Sequence, residues 1–234
     1  MLASILHKTT RACPLALLLL SPAALGGAAG NAYPALSELE YQPPAPGSYQ
    51  LPPIKPAADG KVLDTAGSER CLFDYMGDDI VLLSFIYTTC SDATGCPLAI
   101  AVLRRVASRI EQEPGVVGKV RLITLSFDPG HDTPEVMRRY AAAMMPAADD
   151  HSDRWVFLTT ASPGDLQPIL QDYGQYVVRE HDANGHDTGA ISHLLKVFLI
   201  DRERRVRNIY GVSFLHPQIL VNDIRTLLRE DAES

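Results

Sequence analysis

The chain has 234 residues, 46% hydrophobic and 21% charged, which is enough for one well-packed domain with additions. That composition excludes a disordered, collagenous or many-span membrane protein. Lys and Arg total 21 against 28 Asp and Glu, a formal charge of −7, which argues against a nucleic-acid binder, and the 4 cysteines are too few for a disulfide scaffold.

Residues 1–32 hold Lys8 and Arg11, no acidic residue, and an apolar stretch from Ala12 to Gly30 centred on Leu15 to Leu20. A basic start, an apolar middle and a small-residue end describe a secretory signal, with cleavage near Ala29 or Ala32. The rival reading is a retained membrane anchor, because the uncharged stretch approaches the ~20 residues that span a bilayer. Either reading exports the rest of the chain to the periplasm, soluble or held at the inner membrane by its N-terminus. Loss of this segment removes two basic residues and shifts the charge from −7 to −9. Cys13 goes with it and is set aside, leaving Cys71, Cys90 and Cys96.

Between residues 33 and 60 stand prolines 34, 43, 44, 46, 52, 53 and 56, a density that prevents helix and favours extended chain. Residues 33–47 read as a Pro-rich linker and 48–234 as the folded domain, with Asp59-Gly60 as the turn of an early hairpin. The run from Ile80 to Tyr87 is almost continuously apolar and predicts a buried central strand. From Pro97 to about Glu113, Leu98, Val102, Val106 and Ile110 fall on one helical face. Val120 to Phe127 predicts a second buried strand. Thr133 caps a second helix that runs from Pro134 to about Met145. A short strand at Trp155 to Leu158 and a helix from Ser162 to Tyr173 follow. Leu194 to Asp201 and Val206 to Tyr210 predict two strands, and His216 to about Arg229 a last helix. This order implies an α/β domain whose central mixed sheet is flanked by helices.

The chemistry concentrates in Tyr87-Thr88-Thr89-Cys90-Ser91-Asp92-Ala93-Thr94-Gly95-Cys96-Pro97, between the first central strand and its helix. Ligands and reactive groups favour that end of an open α/β sheet, and the helix terminus stabilises a thiolate. Asp92 and Gly95 let the loop fold back, so the two thiols can meet. They could then form a disulfide or bind a soft metal such as Cu(I). On spacing alone, two structural cysteines are an equally good reading. The strand-to-helix position is that of the redox pair in a thioredoxin-like fold.

Two further segments add to this loop. Leu125-Ser126-Phe127-Asp128-Pro129-Gly130-His131-Asp132-Thr133-Pro134-Glu135-Val136 runs from the second strand into the second helix. Ile191-Ser192-His193-Leu194-Leu195-Lys196-Val197-Phe198 places a histidine at the entry of the penultimate strand. Together with Trp155 to Thr160 and Tyr173-Gly174, these segments resemble the Sco/SenC family, thioredoxin-fold copper proteins that help assemble cytochrome c oxidase. The resemblance covers roughly residues 48–230. It implies a copper ion held by Cys90, Cys96 and His193, with Asp128 nearby as a candidate for orienting a ligand. It implies a metallochaperone whose recipient is oxidase subunit II or another copper-receiving respiratory protein. One departure stands out. The family motif has three residues between the cysteines and a proline after the first, whereas five stand between Cys90 and Cys96 and Ser91 follows Cys90.

The alternative function is a thiol–disulfide oxidoreductase that keeps a partner's cysteines reduced through the Cys90–Cys96 pair. His193 separates the two, since a copper carrier needs its nitrogen and an exchange enzyme needs it much less. A sensor that signals by docking has no support beyond the shared site, and a peroxidase would need one singled-out cysteine. The other candidates have structural readings. Cys71 is expected to be a buried thiol. His181 and His186 flank the turn signal Asn184-Gly185 and are expected in solvent. His131 reads as a loop residue and His216 as a helix start. Residues 149–153 read as a solvated acidic loop and Arg202-Glu203-Arg204-Arg205 as an exposed turn.

Overall fold

The computed structural model describes residues 36, 38–145 and 154–233, and the segment 1–32 and the acidic stretch 149–153 lie outside them. In chain order the elements are β1 (Lys55–Pro56), β2 (Lys61–Leu63), β3 (Glu69–Cys71), α1 (Leu72–Met76), β4 (Ile80–Ile86), α2 (Cys96–Glu111), β5 (Val120–Ser126), α3 (Pro134–Met144), β6 (Trp155–Leu158), α4 (Pro163–Tyr173), β7 (Val177–His181), β8 (Asp187–His193), β9 (Val197–Ile200), β10 (Arg205–Tyr210) and α5 (Pro217–Glu233). None of the helices among the described residues is long and apolar enough to cross a membrane.

Continuous apolar runs become the centre of a six-stranded sheet in the order β1-β10-β9-β4-β5-β6. β4 pairs parallel with β5 and antiparallel with β9, so the sheet is mixed. Every residue of β4 is buried, as a strand covered on both faces requires. Its one polar side chain, Ser84, meets Thr124 Oγ1 at 3.0 Å, and Trp155 Nε1–H donates to the same hydroxyl at 2.9 Å. Phe85, Tyr173 and Phe198 form a ring cluster with centroids 5.0–5.9 Å apart. Burying each such side chain contributes about 1.5–3 kcal/mol relative to exposure.

Helix starts follow their caps. Thr133 Oγ1 accepts from the Val136 N–H and Ser162 Oγ from the Asp165 N–H, each ahead of a proline at the first helical turn. α2 lies against α5. The later part of the proline-rich stretch runs along α5: Asn222 Nδ2 donates to the Pro44 carbonyl, the Gly47 N–H to Thr226 Oγ1, and the Tyr49 hydroxyl to Asp223.

The structure departs from the sequence expectations in specific places. Cys71 is exposed rather than buried. It ends a short exposed strand and caps α1, its N–H donating to Asp74 Oδ2 at 3.0 Å. The early hairpin does not turn at Asp59-Gly60. β2 and β3 are joined through residues 64–68, where Asp64 Oδ1 accepts from the Ala66 and Ser68 N–H groups. Gly60 serves a close approach instead, for a Cβ there would stand 2.4 Å from Ile169 Cγ1 on α4. The penultimate central strand begins at Val197, not Leu194, and His193 is not at its entry. That histidine closes β8, in a hairpin of β7 and β8 that forms its own two-stranded sheet. Arg179, Glu180, His181 and Asp187 break the apolar alternation that would have betrayed these strands.

Candidate metal centre

Two framework elements and the hairpin meet at one end of the sheet. β4 delivers the chain to Tyr87, whose carbonyl accepts the Cys90 N–H at 3.2 Å. The extra length between the cysteines is taken up by a tight turn. Asp92 Oδ1 accepts from Thr94 N–H and Thr94 Oγ1–H at 2.9 and 2.8 Å, and the Asp92 carbonyl accepts the Gly95 N–H at 2.9 Å. Gly95 fits closely, since a Cβ there would come 3.3 Å from both Cys90 Sγ and the Asp92 carbonyl oxygen and would press each back by a few tenths of an ångström. The turn folds the partly exposed Cys90 back over Cys96, which opens α2 and is 1% exposed.

His193 reaches the same point from β8. Its Nδ1–H donates to the Ile191 carbonyl at 2.9 Å, which leaves Nε2 unprotonated, with its lone pair toward the Cys96 thiol. That nitrogen stands 3.6 Å from Cys96 Sγ. The imidazole lies against Tyr87 and Phe127, with ring centroids 5.6 and 4.8 Å away. One donor atom from each of Cys90, Cys96 and His193 falls within 4.8 Å of the others, the one such cluster of three among the described residues. With metal–sulfur and metal–nitrogen bonds of about 2.3 and 2.0 Å, donors of one ion stand roughly 3.5–4.5 Å apart, so the three residues fit a single ion. Two sulfurs and one imidazole suit copper, with the sulfurs favouring Cu(I).

Electrostatics set the protonation state of the inner thiol. Burial pushes the Cys96 thiol well above its ordinary value, and this outweighs the backbone donors that favour the thiolate. A bound metal would have to displace that proton, so loading releases protons. Burial likewise raises the Tyr87 hydroxyl, which accepts the Ile191 N–H at 3.4 Å.

The remaining candidates lie outside the cluster. Asp128 pairs with Arg179. His181 and His186 are exposed on the hairpin, with His186 Nδ1 3.2 Å from Asp182. His131 Nδ1 lies 2.8 Å from Asp132, and His216 Nδ1 accepts the Gln218 N–H at the start of α5. Arg202 to Arg204 lie in the turn between β9 and β10, with Arg204 at φ 61°, and Arg205 opens β10. Sequence reasoning missed three contributors: the ring contacts of Tyr87 and Phe127, the cation Arg179, and Asp132. Asp132 is fully buried and accepts from the Thr88 N–H at 2.9 Å and from the Ser126 hydroxyl at 2.6 Å, tying the strand exit before Cys90 to the loop after β5. Asp132 carried a signal in its place before Thr133-Pro134, whereas Arg179 carried none.

A family model described as SCO1/SenC matches residues 61–229. No curated protein matches the chain. Among solved structures, apo Sco1 from Thermus thermophilus is 26% identical with a TM-score of 0.61, the match covering 77% of this chain and 95% of that one. Copper-bound ScoI from Bradyrhizobium japonicum is 20% identical with a TM-score of 0.59, covering 73% and 98%. BsSco, described as having a disulfide switch and as a member of the Sco family of cytochrome c oxidase assembly proteins, is 21% identical with a TM-score of 0.59, covering 77% and 98%. The fold these likenesses show is thioredoxin-like, a mixed central sheet between helices.

Proposed function

The chain belongs to the SCO1/SenC family, and from that premise we propose that it is a copper carrier whose cargo is held by Cys90, Cys96 and His193. The observation that carries this reading is the convergence of two sulfurs and one imidazole, from a loop, a helix start and a separate hairpin, within 4.8 Å. The copper-bound Bradyrhizobium relative supports the choice of metal. The fixed Nδ1–H of His193 supports it too, because it presents a ready nitrogen donor. Delivery runs by ligand exchange: incoming thiolates of the recipient replace the three donors one at a time, so copper is never free. The recipient is the copper centre of cytochrome c oxidase subunit II or of another respiratory protein, in keeping with BsSco being a member of the Sco family of cytochrome c oxidase assembly proteins. The basic and apolar opening of the sequence supports export to the periplasm, free or held at the inner membrane.

The test is an anaerobic Cu(I) titration of the reduced protein. One-to-one binding is expected, weakened sharply in Cys96→Ser, which loses a soft sulfur donor, and by at least roughly 10-fold in His193→Ala, since loss of a group that merely supports a ligand already costs that much. Full affinity in the histidine variant would remove the imidazole from the site.

The unequal exposure of the two thiols favours a second reading, thiol–disulfide exchange. The partly exposed Cys90 thiolate would attack a partner disulfide, and Cys96 would then displace the partner's second sulfur. The partner leaves with two thiols and this chain keeps the Cys90–Cys96 disulfide. Protein that binds no copper yet reduces a partner disulfide at the same rate with and without His193 would decide for this reading.

A further inference from the structure

His193 belongs to the least anchored element beside the site. Most side chains of β7 and β8 are exposed, and among the described residues the two strands pair only with each other. A two-stranded hairpin is marginal by itself, so its pose depends on its attachments. A cleft of about 420 Å³ separates Thr188, Gly189 and Ala190 of the hairpin from Tyr87, Thr89 and Ser91 of the cysteine side. Val177 and Ile191 pack on the core and the His193 ring lies against Tyr87 and Phe127, and beside this packing the polar contacts to the framework are few and specific. The Ile191 N–H donates to the Tyr87 hydroxyl, Gln175 Nε2 donates to the Leu194 carbonyl at 2.7 Å, and the Arg179 guanidinium pairs with the Asp128 carboxylate.

The last of these contacts is placed to control the arm. Arg179 sits on β7 directly opposite Ile191, whose carbonyl holds the His193 ring, while Val177 sits opposite His193 itself. Asp128 belongs to the loop after β5 and is 4% exposed. Among the described residues, Arg179 is the cation that pairs with it. A second branch of the same guanidinium lies 3.5 Å from Asp187 at the start of β8, so one side chain bridges both strands of the hairpin and the framework. A buried carboxylate keeps its partner, because leaving it unpaired is costly.

We infer that Arg179 is a positioning residue, a latch that closes the hairpin through Asp128 and sets the reach of His193 toward the two sulfurs. This rests on the copper-carrier reading only for its consequence at the metal. With the latch closed the site offers three donors. With it open the hairpin lifts, and the site offers the two sulfurs alone, Cys96 at the start of α2 and Cys90 on the turn before it. A recipient that supplies its own carboxylate or cation to this pair would thereby loosen the imidazole during handover.

The test compares the reduced wild-type chain with Arg179→Met, which keeps the stem and removes the charge, and with Arg179→Lys, which keeps a charge. In metal-free protein, amide hydrogen exchange at Ile191, Ser192 and His193 is read against Leu83 in β4. The Met variant should exchange about fivefold faster in the hairpin, with Leu83 unchanged and the Lys variant recovering most of the protection. After Cu(II) loading, the imidazole nitrogen coupling in electron paramagnetic resonance should weaken in the Met variant and return in the Lys variant. Unchanged hairpin exchange in the Met variant, equal acceleration at Leu83, or no recovery with Lys overturns the latch. Identical copper spectra in all three proteins overturn its link to His193. A wild type that takes up no copper overturns the carrier reading alone, since the exchange comparison stands without metal.

Discussion

The cysteines and the histidine of the site stand on unlike ground. Cys90 and Cys96 hang from the junction of β4 and α2, where the strand is buried along its whole length and parallel pairing with β5 runs from Ile80 to Ile86. His193 hangs from a hairpin that presents Tyr176, Val178 and Leu194 to solvent and pairs with no strand of the central sheet. The contrast teaches how one site can both hold and release. Cys96 is set by the buried start of α2 and Cys90 by the turn before it, whereas the imidazole depends on the packing of Val177, Ile191 and its own ring against the framework together with a few polar contacts. On the copper-carrier reading, the donor proposed to let go during handover is the one on the two-stranded hairpin.

The largest expected effect breaks the framework side. Phe198 in β9 is fully buried against Phe85 and Tyr173, so Phe198→Ala should cost about 3–5 kcal/mol in urea unfolding and degrade both sulfur positions with the sheet. A loss below about 1 kcal/mol would mean the sheet is no firmer than the hairpin, and the contrast would collapse.

A smaller effect sharpens the comparison through a second buried carboxylate. Asp223 does for the framework what Asp128 does for the hairpin, accepting the hydroxyls of Tyr49 and Tyr210 and the Asn208 amide. Burial, helped by Asp223, pushes the Tyr49 hydroxyl up to about 12. In the unfolded chain it titrates near 10, so between these values the native state holds more protons and stability falls as pH rises. Below pH 10 the effect is absent. Tyr210 shifts in the same direction, so Tyr49→Phe isolates one contribution. The advantage of wild type over Tyr49→Phe should shrink by roughly 1 kcal/mol between pH 9 and pH 11, a figure reduced for the partial exposure of Tyr49. A constant gap in urea midpoints across that range would detach Tyr49 from Asp223.

The same contrast governs what the sequence reveals. β4, β5 and β6 are legible to within a residue because strands buried on both faces leave unbroken apolar runs, and α3 and α4 because Thr133-Pro134 and Ser162-Pro163 are chemically explicit starts. The cysteine pair is legible from its place between strand and helix. His193 is not legible from pattern at all; it enters through resemblance to a family. Its hairpin is written in Arg, Glu, His and Asp, whose alternation carries no apolar period, so the strand holding it is misread as the start of β9. Arg179 is invisible for a related reason: an ion pair joining residues 51 positions apart leaves no local mark. Cys71 misleads because thiols are usually buried, and here a short edge strand leaves it in solvent.

The smallest expected effect tests whether the outer face of the hairpin is as bare as it looks. Val178 is 64% exposed and lies opposite Ser192, while its neighbour Val177 lies opposite His193 and packs on the core. Because successive side chains of a strand point to opposite faces, a change at Val178 leaves the His193 side untouched. Val178→Ser should therefore move the urea midpoint by less than the equivalent of about 0.5 kcal/mol, the range of surface substitutions. Copper affinity should stay within about threefold, since a stability change that small, passed wholly to the site, is worth no more. A loss above about 1 kcal/mol would show that this face is covered in solution. The hairpin would then be held from both sides, and the cheap motion that the site needs for release would have to come from the Cys90 loop.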